Sequence, residues 1–297
     1  MGITNPGSGT LGQAPTKQIF TATGTVTGCL FNCSSANATV GATYTNNSFT
    51  FTVLNTIAAG TQLFTSASGF TLIGSTLTKA SGTGDATITF STTVNLGTYT
   101  TAANATLIKV ILVGGGGGSG GCAAGGATCA AAGGGGGGGS LVKYITSPAA
   151  SYPYAVSSIG GAAGASGIST GGTAATNFFG ANLLIAGGGA GGAGSNTQTL
   201  GASAVGGAGG APSGGDINVP GGPGGAGLVF TTTLGVGGQG GISMLSTGAS
   251  NFVNGSGPGS AGTGIGGGAT GGMAQTSNGA QTGTAGSAGI LIVEEYY

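Results

Sequence analysis

The sequence predicts an all-β protein, a small antiparallel β module followed by a glycine-rich domain of packed polyglycine-II-like strands and short β-strands. Three observations predict it. Segments within residues 19–97 alternate apolar and polar side chains with period two. Glycine rises from 13 residues in 1–113 to 61 in 114–297. No apolar pattern of helical period persists anywhere in the chain.

In chain order, residues 1–18 are rich in Gly, Pro, Thr and Ser and read as a flexible or docking arm. Residues 19–97 read as the β module. "NSFTFTVL" sets Phe49, Phe51 and Val53 against Thr50 and Thr52, and "GDATITF" sets Ala86, Ile88 and Phe90 against Thr87 and Thr89. Turn signals stand at 45–47, 58–60 and 81–85. Residues 98–297 form the glycine-rich domain. Apolar islands interrupt it at 140–147, 152–159, 182–186, 227–234 and 241–246, and "GILIVEEYY" closes the chain.

The stretch "LIKVILVGGGGGSGG" satisfies G-x-G-x-x-G at Gly115, Gly117 and Gly120. A dinucleotide site needs a helix after that turn and an acid about 20 residues on. Seven glycines run from Gly133 to Gly139, and no acid stands between Asp85 and Asp216. Each glycine costs a helix about 1 kcal/mol, so the match is an accident of composition. Collagen needs a strict Gly-X-Y repeat and abundant proline, against eight prolines here. A disordered Gly/Ser linker would not carry Leu, Ile, Val, Phe and Tyr at such short intervals.

Packed polyglycine-II backbone remains. It has three residues per turn and directs all its N–H and C=O groups outward, where neighbours can satisfy them. Ordering glycine backbone costs about 1–2 kcal/mol per residue. A hydrogen bond returns about 0.5–1.5 kcal/mol net. The packing must therefore be dense and cooperative, sealed by the apolar islands.

Four lysines, four acids, no arginine and no histidine give a net charge of zero. Nucleic acid is excluded as a partner, because phosphate contacts need clustered cations. Membrane insertion is not expected, since no apolar run approaches about 20 residues, and the N-terminus lacks the pattern of a signal peptide. Without histidine, and with Glu294 and Glu295 adjacent on a strand and so on opposite faces, enzymatic work is not expected. No cofactor or metal is expected. Glu294 and Glu295 read as a solvated strand end, and Asp85 and Asp216 as turn residues bonding their own backbone.

Cys29 with Cys33 and Cys122 with Cys129 form two close pairs. They are disulfide candidates, with free buried thiols equally open; the spacing matches zinc ligation weakly. Among the aromatics, Tyr152 and Tyr154 are binding candidates, while Phe178, Phe179 and Phe230 read as core. Three polar inserts read as exposed loop ends able to hydrogen-bond a glycan, or as plain solvated loops. Their candidate binding residues are Asn196, Thr197 and Gln198; Asn251, Phe252 and Asn254; and Gln275, Asn278 and Gln281.

The order of islands between glycine tracts, "YTTAANATLIKVILVGGGGGSGG", "SLVKYITSPAASYPYAVSSIGGAAG", "NLLIAGGGAGGAG" and "AGILIVEEYY", resembles the glycine-rich C-terminal domain of bacteriophage tail fibres and fibre-tip adhesins. Upstream, "VGATYTNNSFTFTVLNTIAAGTQLFTSASG" and "GSTLTKASGTGDATITFS" are similar to small β modules of phage virion proteins. The resemblance implies a structural virion protein that faces a host-surface receptor, a glycan or an outer-membrane protein, and is often trimeric. It implies docking to other tail proteins through the N-terminal arm, and a location on the virion, extracellular after host lysis. The alternative is a structural fibre or decoration protein of the capsid or tail without a receptor.

Overall fold

The structure, a computed structural model, describes residues 97–297 except 181–182, 197–199, 202, 251 and 254; upstream, and at Phe252–Val253, it describes strand backbone alone. Every strand pair in it is antiparallel and no helix occurs among the described residues, so the fold is all-β. In the N-terminal module a six-stranded sheet runs in the order Phe49–Thr52, Thr43–Asn46, Thr76–Ser81, Ile88–Phe90, Cys29–Cys33, Gly60–Phe64. Both period-two segments noted in the sequence supply strands to it.

Two five-stranded sheets face each other at the base of the glycine-rich domain. The first runs Thr16–Phe20, Ile290–Tyr296, Leu107–Val113, Ser140–Thr146, Ile217–Val219. The second runs Pro212–Ser213, Leu184–Ala186, Asn177–Phe179, Ser151–Ser157, Val94–Thr100. Alternate residues point inward, as a half-buried strand requires. Ile108, Val110, Leu112, Leu141, Leu291 and Val293 thus meet Tyr99, Tyr152, Val156, Phe179 and Leu184 in one core. The rings of Tyr152 and Phe179 stack with centroids 4.8 Å apart. The strands Thr16–Phe20 and Val94–Thr100 span the boundaries expected at residues 18 and 97.

Strands leave this sandwich and continue as extended glycine runs. The hairpin pairs Val113 with Ser140. Its register carries on unbroken as Gly114 N–H to Gly139 O, Gly117 to Gly136 and Gly120 to Gly133. From Gly114 to Gly118 there are no side chains to hold a sheet flat, so further chains approach from other directions. Run 114–121 donates to 133–139, to 281–289 (Gly116 to Ser287, Ser119 to Thr284) and to 169–174 (Gly118 to Gly172, Gly121 to Ser169). It accepts from 187–195, 160–167 and 266–272, at the carbonyls of Gly115, Gly116 and Gly117 and then again three residues on. Six neighbours bonded at intervals of three residues is the packing of a three-fold helix without internal hydrogen bonds.

Run 133–139 is the second centre. It donates to 187–193, 221–225 and 266–269, and accepts from 114–120, 205–210 and 238–241. The runs 187–195, 169–174, 160–164, 281–289, 266–272, 238–242, 221–225 and 205–211 bond in that order into a closed ring around both centres.

Glycine is required at every position of the centres except Ser119, whose hydroxyl accepts from Thr284 N–H at 2.8 Å. A Cβ on Gly117 would lie 2.0 Å from the carbonyl oxygen of Ala190, and one on Gly137 would lie 1.9 Å from that of Ile242. The outer runs obey a milder rule. In "VGGAGGA" (205–211) and "PGGPGGA" (220–226) every third residue carries a side chain and is exposed, while the glycine pairs face the lattice. Pro220 and Pro223 have no N–H, so run 221–225 turns no orphan donor outward at those two positions.

Candidate functional site

Ten runs alternate in direction, so their connections fall into two groups. One lies at the sandwich end. The other lies at the far end and comprises the segments around 122–130, 165–169, 195–204, 229–235 and 273–281. Apart from Lys143 and Asp216, which pair at the sandwich end, no residue from 110 to 293 carries a formal charge. The far end is therefore uncharged, whereas Lys109 and Glu294 pair on the first sheet at 3.1 Å.

Cys122 organises the far end. Its N–H donates to Gln281 O at 2.9 Å, and its carbonyl accepts from Gln281 at 3.0 Å and Gly167 at 3.1 Å. The next residue, Ala123, donates to Ser195 O at 2.8 Å. Gly125 donates to Asn278 O at 2.9 Å and accepts from Ser277 N–H at 2.9 Å. Four of the residues expected to bind, Asn196, Gln275, Asn278 and Gln281, are thereby gathered on one end. Asn196 and Asn278 are exposed; Gln275 and Gln281 are half-buried, and the Gln281 amide donates to Gly279 O at 2.9 Å. Thr197, Gln198, Asn251 and Asn254 lie outside the described residues. Phe252 is described as strand backbone paired with Gly237, also near this end.

The expected core residue Phe230 is instead 53 % exposed. Strand Gly227–Val229 ends before it. The chain then turns, with Phe230 N–H donating to Leu234 O at 2.9 Å and Thr231 Oγ1 accepting from Leu234 N–H at 2.9 Å. Cys129 N–H holds this turn through Thr232 O at 3.1 Å, and the Thr276 hydroxyl donates to the same carbonyl. Ile168 and Leu200 stand exposed on neighbouring connections. The sequence signal for this turn was the polar triplet in "FTTTL", read above as part of an apolar island. Conversely, Tyr152 is buried and Tyr154 packs partly against the sandwich core, away from these connections, so neither serves this end.

Three further readings need correction. Cys122 and Cys129 form no disulfide; they are free and buried in separate apolar clusters. Cys29 and Cys33 end a single five-residue strand, which puts their Cα atoms about 13 Å apart, beyond the roughly 7 Å a bridge tolerates. Asp216 bonds the Lys143 ammonium at 2.6 Å and Tyr144 N–H at 2.8 Å rather than its own turn. Burial pushes the Cys122 thiol up to about 11 and raises Cys129 as well. Both are thiols, not thiolates, at neutral pH. We expect neither to react with iodoacetamide in the native protein and both to react after denaturation, read by intact mass; rapid native labelling of Cys122 would contradict its burial.

Among the described residues no three His, Cys, Asp or Glu side chains lie together as metal ligands would, and no helix is long and apolar enough to cross a membrane. The end surface instead offers amide and hydroxyl groups beside exposed apolar side chains. No protein-family model matches the chain, and the search of curated proteins finds no match.

Proposed function

We propose that this chain is a structural virion protein of a bacteriophage tail fibre or fibre tip, and that its loop end binds a host-surface receptor, a glycan or an outer-membrane protein. The observation carrying this reading is the polarity of the glycine-rich domain. One end is a sandwich holding the strand Thr16–Phe20 and nearly all the charge; the other is an uncharged set of turns fixed to a saturated lattice. Loops on a rigid scaffold lose little entropy on binding. Aromatic faces beside amides and hydroxyls suit sugar rings or a protein loop. The arm then docks to other tail proteins, and the work is adhesion rather than catalysis. The chain is proposed to assemble as a trimer, although the lattice closes within one chain and needs no neighbour to complete it.

The decoration reading draws on a different observation. The outward, period-three row of Val205, Ala208, Ala211, Pro220 and Pro223 is exposed and apolar, which suits lateral packing of copies. Gold-labelled antibody against the chain separates the two on purified particles: labels at fibre ends support adhesion, and a regular array over the particle surface overturns it. In the same particles Phe230→Ala is expected to lower adsorption roughly tenfold or more with thermal unfolding unchanged, since Phe230 supports no core. Adsorption unaltered by Phe230→Ala together with Asn196→Ala and Gln281→Ala counts against this surface as the receptor site.

A further inference from the structure

We propose that Asn278, followed by Gly279, is a site of spontaneous deamidation that places a negative charge on the otherwise uncharged loop end. The reaction needs a side-chain amide free to be attacked and a free backbone N–H on the next residue. Asn278 is exposed, and its side chain has no hydrogen bond to a described residue. The Gly279 N–H likewise makes none among the described residues, although Gly279 O accepts from Gln281. A Cβ on Gly279 would meet nothing within 4 Å, so nothing crowds the approach. The backbone of Asn278 is held by N–H to Gln275 O at 3.0 Å and by its carbonyl accepting from Gly125 at 2.9 Å. These bonds fix the turn while leaving both reacting groups out in solvent.

The deprotonated Gly279 nitrogen attacks Asn278 Cγ. A C–N bond forms, the Cγ–NH2 bond breaks, and the amide nitrogen leaves as ammonia with the proton taken from solvent. Water then opens the resulting cyclic imide at either carbonyl, giving aspartate or isoaspartate. In sum, one amide and one water become one carboxylate and one ammonium ion, and no oxidant or co-reactant is needed. Since the nitrogen must lose its proton first, the rate rises with pH.

Asn104, Asn177, Asn196 and Asn218 are each followed by a residue whose side chain hinders attack by the next backbone nitrogen, and two of them are tied down as well. The Asn177 amide donates to Val113 O and accepts from Ser157 N–H in the core. The Asn218 side chain both donates to and accepts from Gly215. Asn254–Gly255 begins on a residue outside the described ones. In a chain with only four acids, one added carboxylate is a large electrostatic change, and at Asn278 it falls on the surface assigned above to binding. The modification itself does not depend on that assignment.

The test is timed incubation of the purified full chain in mildly alkaline buffer, followed by peptide mapping and native isoelectric focusing. The expected result is conversion of Asn278 to a mixture of aspartate and isoaspartate, a more acidic band growing in parallel, and Asn177 and Asn218 unchanged. Gly279→Ala, at a position with free space and no left-handed backbone, should abolish most of the conversion while the variant stays folded. Asn278 retaining its amide while the same sites convert in denatured chain overturns the proposal. Equal conversion at Asn218, or in Gly279→Ala, overturns it too.

Discussion

Gly135→Ala is expected to cost the chain about 4 kcal/mol of stability, whereas Gly279→Ala costs it little. Both add one methyl group, and the difference lies in what that methyl meets. At Gly135 it would lie 2.0 Å from the carbonyl oxygen of Gly117, which is backbone of the other central run. Gly117 cannot step aside freely, because its own N–H donates to Gly136 O at 2.7 Å and its carbonyl accepts from Ala269. Gly135 itself donates to Ala269 O and accepts from Gly241 N–H, each at 2.8 Å. Relieving the clash therefore strains several bonds in two layers at once. Overpacking typically costs about 1–3 kcal/mol, and each buried group left unpaired adds about 1–3 kcal/mol. A total on the order of 4 kcal/mol is a large share of the roughly 5–15 kcal/mol a domain holds in reserve. Denaturant titration reads the result, with amide exchange across 114–121 and 133–139 as a second measure. A Gly135→Ala protein within about 1 kcal/mol of the parent would mean the lattice yields easily and is not the rigid support assigned to it.

The same physics explains which parts of the fold were legible in the sequence. Strands announce themselves through side chains, and Phe49–Thr52, Ile88–Phe90, Ser140–Thr146 and Ile290–Tyr296 fall where alternation or apolar islands mark them. That glycine means packed backbone was also readable, because helix, collagen and linker each fail a stated requirement. What composition cannot supply is register. Every residue from Gly133 to Gly139 is alike, so nothing in the run says which faces Gly117 and which faces Ala269. The structure takes that information from the flanking hairpin, where Leu141 opposite Leu112 sets the offset that the glycines inherit. One signal was present and passed over, the period of three in "VGGAGGA", "PGGPGGA" and "VGGQGGI", which marks outer runs by their outward side chains.

At the loop end, polarity located Asn196, Asn278 and Gln281 but not Phe230. An apolar island hides the point at which a strand stops and a threonine-capped turn begins. Glu295 was misread for a related reason. Adjacent acids at a strand end look solvated, and a single chain does not show that a second sheet covers one of them.

Glu295→Gln is expected to destabilise the protein by about 2–3 kcal/mol and to flatten its stability profile at both pH extremes. The Glu295 carboxylate is buried, on the sandwich face of its strand. It accepts from the Tyr99 hydroxyl of the facing sheet, from Ala102 N–H at 3.0 Å and from the Tyr297 hydroxyl at 2.8 Å. Burial alone would raise its pKa, but these three donors, led by Tyr99, outweigh it and hold the carboxyl below its usual value. Tyr99 is displaced the opposite way, raised by burial and then by the hydrogen bond and charge of Glu295. A depressed carboxyl contributes stability that is complete above the unfolded value near pH 4.5 and is lost as pH falls through the folded one. A raised phenol contributes stability that is complete below the unfolded value near pH 10 and is lost as pH rises toward the folded one. The parent should therefore be steady between those limits and decline beyond each. Glutamine removes the acid titration outright, replaces one of the two acceptor oxygens by an amide N–H2 where three groups donate to the carboxylate, and relieves Tyr99 of the charge that helps raise it. Both limbs should become shallower from a lower plateau in denaturant titrations across that range. An unchanged acid limb in Glu295→Gln would show that the two sheets are not held together at this carboxylate.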